Sequence, residues 1–314
     1  MEVSVRQLQQ NVVCPISIVY TVILMQISDV DRLFEGGSNR SQTEGFHFDV
    51  RNLVRAATSR ESQGGDAKEV LKHLAQKLEA LCPRSGATLE QQRQYETTIK
   101  TFLEAVEPRK PLFIQAEYPL CRALFTLYSQ EWGEPRKAAD ALARLHNYVN
   151  ELNITEKEKA KLFIDAAQHY LVDEDDFRAD AVVRSAKSNG FLELNDPLIQ
   201  MQFKVLFAKT LESRREYSQA AMWYLIVSQS TQLEIPVDEI HEILRAGVIC
   251  ATLTPPGSNR SRLMAAFYRD SRTQGLSEYT MLQRLYLNQF IEPEEIQRFT
   301  KTLDDKKLAV GRME

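Results

Sequence analysis

An aromatic residue followed within a few positions by alanines recurs in this chain. Phe177 precedes Ala179 and Ala181, and Tyr217 precedes Ala220 and Ala221, with 40 positions between the two aromatics. Stacked antiparallel helix pairs need such a recurrence, because the aromatic plugs the gap between neighbours while the alanines let helices approach closely. Trp132, ahead of Ala138 and Ala139, reads as an earlier and looser copy. Acidic or basic turns precede two of these aromatics, DEDD at Asp173–Asp176 and ESRRE at Glu212–Glu216. The recurrence predicts an all-α fold, a right-handed superhelical solenoid of antiparallel helix pairs resembling TPR or HEAT repeats, with Phe177 and Tyr217 as core aromatics.

Helix starts support this. Asp66 followed by Glu69 reads as a capping box, in which each side chain accepts a free amide at the helix start, and Leu71, Leu74, Leu78 and Leu81 then form one apolar stripe. Thr155 with Glu158 opens a second helix, whose stripe includes Leu162, Phe163, Ala166 and Tyr170. Asp196 followed by Pro197 opens a third, through Leu198, Met201, Val205 and Ala208. The chain holds only 12 Gly and 11 Pro among 314 residues, so long uninterrupted helices are easy to place. Phe34–Gly45 and Thr58–Gly65 are polar and Gly/Ser-rich and read as loops around a short helix that includes Val50–Ala57.

The first 60 residues are otherwise hard to assign. Val12–Ile27 is an apolar run of the length of a signal-peptide core, and too short for an ordinary membrane span. It reads as a buried strand or helix, as a signal or anchor, or as an N-terminus atypical of the protein. Sequons begin at Asn39, Asn153 and Asn259, a number close to chance, and are read as unglycosylated.

Catalytic chemistry is missing from the local patterns. The five histidines, His47, His73, His146, His169 and His241, never fall into H-E-x-x-H or H-x-H spacing, and His169 reads as a helix-surface residue. No phosphate-cradling glycine motif or nucleophile elbow occurs. Cys14, Cys82, Cys121 and Cys250 show no C-x-x-C spacing, so neither zinc nor a disulfide framework is indicated, and a reducing, intracellular setting fits. A formal net charge of −4 offers no general attraction for nucleic acid or an anionic membrane. No cofactor is expected, and the Asp173–Asp176 carboxylates read as a solvated turn.

The arginines are more informative. On a helix beginning near Ser261, Arg262 and Arg269 are seven apart and share a face, while Leu263, Ala266 and Phe267 form the opposite, apolar side. Arginine suits bidentate pairing with carboxylates and stacking at interfaces. Arg260, Arg262, Arg269, Asp270 and Arg272 therefore form one candidate interaction patch, with Arg214 and Arg215 a second in a repeat turn. The alternative is an exposed helix bearing an intrachain charge network of the Arg269–Asp270 type.

These residues carry a resemblance. GSNRSRLMAAFYRDSR, Gly257–Arg272, resembles the G-x-x-R-S-R-[ML]-[LM]-A-x-[LF]-[FY]-[KR]-D-x-R segment of the fourth-subunit family of the COP-nine (constitutive photomorphogenesis) signalosome, which belongs to the PCI-domain proteins. Leu276, Tyr279, Leu282 and Leu285–Leu287 continue the agreement. RREYSQAAMWY, Arg214–Tyr224, resembles that family's R-R-[KE]-[FY]-x-x-A-A-x-x-Y repeat, and Cys250–Leu253 its C-x-x-L. Ser271 departs from the pattern, standing where the family commonly carries Glu. The resemblance is specific from Glu193 to Leu303, weak from Asp66 to Gly190 and absent before that. The family pattern continues past Leu308 into a winged helix and a C-terminal helix, so the chain is expected to stop short of both.

Three regions follow: an atypical N-terminal segment over 1–60, a helical-repeat arm over 61–235, and the helical part of a PCI domain over 236–314. The resemblance implies a non-catalytic scaffold subunit of an isopeptidase complex that removes a ubiquitin-like modifier from cullin-RING ubiquitin ligases (deneddylation). It implies that the arm binds the cullin and RING end and that catalysis resides in another subunit. The partners expected are the other signalosome subunits and a cullin-RING ligase, in a hetero-oligomer of the cytoplasm and nucleus, without nucleic acid or membrane. The R-S-R run at Arg260–Arg262 favours this over the related proteasome lid subunit. A PCI helical-repeat component of a translation-initiation or messenger-RNA-export complex is the remaining alternative.

Overall fold

The computed structural model describes Val30 and residues 49–55, 64–83, 88–230 and 236–303. The apolar run Val12–Ile27, the loop Phe34–Gly45, Cys14 and the segment after Leu303 lie outside the described residues. All regular structure among the described residues is helical. Twelve helices of more than one turn follow residues 49–55: α1 Gly64–Ala80, α2 Leu89–Val106, α3 Lys110–Thr126, α4 Pro135–His146, α5 Glu156–Val172, α6 Asp176–Ser188, α7 Pro197–Ser213, α8 Tyr217–Ser228, α9 Val237–Leu253, α10 Ser258–Arg269, α11 Tyr279–Tyr286 and α12 Pro293–Lys301. They divide between Asn153 and Ile154 into two compact units. In the first, α3 is central, with α1, α2 and α4 against it. In the second, the antiparallel pairs α5–α6 and α7–α8 stack on each other, and α9, α10 and α11 follow on α8.

The expected helix starts are mostly present. Thr155 accepts from the Glu158 amide while the Glu158 side chain accepts from the Thr155 amide, a complete capping box. Asp196 accepts from the amides of Leu198 and Ile199, with Pro197 in the first turn. Asp66 is different: α1 already begins at Gly64, so Asp66 lies inside the first turn and Gly64 and Gly65 are helical rather than loop. Leu71, Leu74 and Leu78 are buried as the stripe requires. In α7 the buried face is Ile199, Phe203, Leu206 and Thr210, with Ala208 beside it, while Leu198 is exposed and Met201 and Val205 are half-buried. That helix is apolar nearly all round, so periodicity alone leaves its rotation open.

The repeat is set by backbone rather than by an aromatic. Gly133, Glu174 and Arg215 all adopt left-handed conformation, at φ 63°, 60° and 63°, and stand 41 residues apart. Each closes the helix before it. The amide of Asp175 donates to the carbonyl of Tyr170 and that of Glu216 to Leu211, both at 2.9 Å, the six-to-one bond that satisfies carbonyls left free at a helix end. At the first turn the amide of Glu134 donates to Tyr128, also at 2.9 Å but one residue further back. A π-helical turn over Leu127–Trp132 takes up that extra residue.

From these turns the helices bury equivalent side chains. Ala138, Ala179 and Ala220 are buried at one position; Leu142, Val183 and Tyr224 at the next; Leu145, Ala186 and Val227 at the third. Tyr217 is 4% exposed and is a core aromatic, as expected, but Phe177 is 85% exposed. The true period is 41, so Phe177 corresponds to Ser218 and Arg136, and the counterpart of Tyr217 is Asp176. The expectation that Phe177 plugs an interhelical gap is thereby corrected.

Candidate protein-interaction surface

The arginine-rich segment follows α9. That helix leaves carbonyl groups without intrahelical partners at its end, and Arg260 Nη2 donates to the Thr252 carbonyl at 3.1 Å. The Thr254 hydroxyl donates to the Cys250 carbonyl at 2.8 Å. Leu263, Met264 and Phe267 bury one side of α10 in the core formed with α8 and α9, as their spacing predicts, with Ala266 half-buried. Tyr268 lies with its ring centroid 4.8 Å from that of Tyr286 and 5.9 Å from that of Tyr279, which fixes α11 against α10.

Asp270 ends α10 and caps a 3-10 turn over Ser271–Gly275, accepting from the Arg272 amide at 3.0 Å. Its carboxylate also receives Arg272 Nε at 3.0 Å and Nη2 at 2.6 Å. These hydrogen bonds hold the Asp270 carboxyl below the usual range, against some desolvation. The remaining face of the Arg272 guanidinium donates to the Ser228 carbonyl at 2.8 Å, at the end of α8. Glu278, 1% exposed, receives Arg245 Nε from α9 at 2.8 Å. The segment after α10 is thus clamped to the end of α8 and to the middle of α9 by charge-assisted hydrogen bonds.

The second candidate group is used in a similar way. Arg214 Nη1 lies 3.2 Å from both oxygens of Asp180 in α6, and its Nη2 lies 2.8 Å from Glu216. Arg215 is exposed at the left-handed position.

Apart from Arg215 at its left-handed turn, the candidate residues therefore divide. Arg214, Arg260, Asp270 and Arg272 make contacts within the chain, and the partner of Asp270 is Arg272 rather than Arg269. Arg262 and Arg269 are exposed on one side of α10, and no ion pair joins them to another described residue. Arginine on an ordered helix, two turns apart, offers two directional cationic forks to a carboxylate-bearing surface.

Sequence reasoning passed over some internal charges. Glu117 on α3 is fully buried, with Lys110 Nζ 3.8 Å away and neither carboxylate oxygen hydrogen-bonded. Burial pushes its carboxyl up to about 7, against the opposing pull of Lys110 and Arg144. A lone Glu within an otherwise ordinary helix gives no sequence signal of burial.

No group of three or more His, Cys, Asp or Glu side chains among the described residues is placed to hold a metal ion. His169 is half-buried, its Nδ1 2.8 Å from the Asp165 carbonyl one turn back, a local helix contact. No helix among them is long and apolar enough to cross a membrane.

Antiparallel helix pairs closed by left-handed turns, followed by an arginine-bearing helix that is tied down at both ends, define a helical-repeat protein of the kind that presents surfaces to other proteins. The chain belongs to the family described as PSMD12/CSN4, N-terminal, whose model matches residues 52–235. That match runs through the stretch where the resemblance of individual residues is weak. The chain is similar to the COP9 signalosome complex subunit 4 of Arabidopsis thaliana, 30% identical over 246 residues, which are 76% of this chain and 58% of that protein. It is also similar to the subunit 4 proteins of Emericella nidulans, 30% identical over 174 residues (55% of this chain, 41% of that one), and of Dictyostelium discoideum, 27% identical over 229 residues (72% and 56%). The chain thus spans between 41% and 58% of the length of these relatives.

Proposed function

We propose that this chain is a non-catalytic scaffold subunit of a COP9-type signalosome. The observation that carries this is the similarity over 76% of the chain to a protein named signalosome subunit 4. In this reading the chain joins a hetero-oligomer with the other subunits, and its helical repeats bind the cullin and RING end of a cullin-RING ubiquitin ligase. The complex removes a ubiquitin-like modifier from that ligase, with the metal-dependent catalysis in another subunit, in the cytoplasm and nucleus. Arg262 and Arg269 are the contact residues that fit best, because their guanidinium groups are exposed where the rest of the arginine cluster is engaged within the chain.

Affinity purification of the tagged chain at moderate salt, followed by mass spectrometry and size-exclusion chromatography, tests the reading. Signalosome subunits and a cullin-RING ligase are expected to co-purify, and R262E/R269E is expected to reduce at least one of these partners while the melting temperature stays unchanged. Recovery of proteasome lid or initiation-factor subunits instead would overturn it, as would isopeptidase activity in the isolated chain.

A further inference from the structure

Val172, at the end of α5, is 72% exposed, and Phe177, in the first turn of α6, is 85% exposed. The repeat does not require apolar side chains there. At the other two turns of the 41-residue repeat, the positions of Val172 hold Glu131 and Ser213, and those of Phe177 hold Arg136 and Ser218. Between Val172 and Phe177 the chain runs Asp173, Glu174, Asp175 and Asp176. Asp175 caps α6, accepting from the Arg178 amide at 3.1 Å, and pairs with the Arg178 guanidinium at 3.3 Å. The stretch Val172–Arg178 thus holds four carboxylates and one guanidinium, a formal charge of −3.

We propose that this turn is a docking knob for a basic protein segment, with Phe177 and Val172 entering an apolar recess rimmed by Lys or Arg side chains. Exposed aromatic anchors carry much of the affinity where such recesses occur, and charges around them select the partner and speed the encounter. Complementarity of charge sets the occupant: an anionic membrane, a nucleic acid or an acidic protein would each be repelled by Asp173–Asp176. The surface is separate from Arg262 and Arg269, and the inference does not depend on the function proposed above.

The neighbouring turn supplies the test variant. Ser213, Arg214, Arg215 and Ser218 occupy the positions of Val172, Asp173, Glu174 and Phe177 on the same backbone, so V172S/D173R/E174R/F177S is expected to keep its melting temperature. Photo-cross-linking with p-benzoyl-phenylalanine at position 177 of the full chain in cells, followed by sequencing of the joined peptide, identifies what sits there; the same label at position 218 is the control. Adducts are expected on one protein segment that carries several Lys or Arg residues, with yield falling about tenfold when D173R/E174R is introduced. Adducts no more abundant than from position 218, adducts on segments without basic residues, on nucleic acid or on a second copy of this chain, or a yield insensitive to the charge swap would each overturn the proposal. Should the fourfold variant fail to fold, F177S alone, at a position open to solvent, gives the same comparison through loss of co-purification of the cross-linked partner.

Discussion

Gly247 in α9 lies against the edge of the Phe267 ring: a β-carbon there would stand 2.6 Å from Cζ and 2.8 Å from Cε1, with Tyr224 Cβ at 3.1 Å. Phe267 is fully buried, so the ring has little room to retreat. In an open helix Gly→Ala is worth close to 1 kcal/mol in favour of Ala. Here overpacking opposes it, and G247A is expected to lower stability by about 1–2 kcal/mol on a scale where such insertions cost about 1–3. Denaturant unfolding checks the sign; a stabilised G247A would show that α10 yields freely.

Tyr217 and Phe177 should respond oppositely to truncation. Y217A removes a buried aromatic and is expected to cost about 3–5 kcal/mol, as large core truncations do. F177A is expected to lie within about 0.5 kcal/mol of the parent, as surface changes do. Paired thermal melts separate them, and equal shifts would contradict the 41-residue register.

The buried Glu117 couples stability to pH. Its carboxyl stands at about 7 in the folded chain against 4.5 as the ordinary value. The folded state therefore binds a proton that the unfolded state has lost between those limits. Stability contributed by the protonated form is complete below about 4.5 and declines as pH rises towards 7, by an amount on the order of 3 kcal/mol. E117Q is expected to erase this decline, so the difference between parent and E117Q in urea midpoints, followed from pH 5 to 8, isolates it from other carboxylates. A difference that does not change with pH would remove Glu117 as its source.

Glu278 sits in a nearly sealed place with Arg245 Nε 2.8 Å from its carboxylate. Removing one partner of such a pair leaves the other ion unmatched, which costs about 3–5 kcal/mol for fully buried pairs. Since the Arg245 side chain is partly exposed, R245A is expected to cost about 1–2 kcal/mol, with water softening the loss. In a double-mutant cycle with E278Q, coupling of at least about 0.5 kcal/mol is expected; additivity would mean that the pair contributes nothing.

Local chemistry was the legible part of this fold. The box at Thr155 and Glu158 and the cap at Asp196 act within three residues, so their spacing alone announces them. The repeat itself was visible, but its register was not. The position that fixes it is left-handed and holds Gly, Glu and Arg in turn, and only the glycine of Gly133 advertises such a backbone. Anchoring on aromatics instead shifted one repeat by a residue and turned Phe177 inward. In the arginine segment the motif and the apolar face of α10 could be read directly. The division of labour could not, because Arg260 and Arg272 are engaged by the carbonyls of Thr252 and Ser228, and a main-chain acceptor leaves no mark in the sequence.

The two turns in the second unit have opposite electrical character on one backbone: Asp173–Glu174 in the first, Arg214–Arg215 in the second, both at the same left-handed step. Architecture is indifferent to the sign of what it displays there. Mutation can thus rewrite the identity of a tip while inheritance of the helical frame goes untouched, and descendants of one ancestral repeat are free to diverge in allegiance without diverging in form.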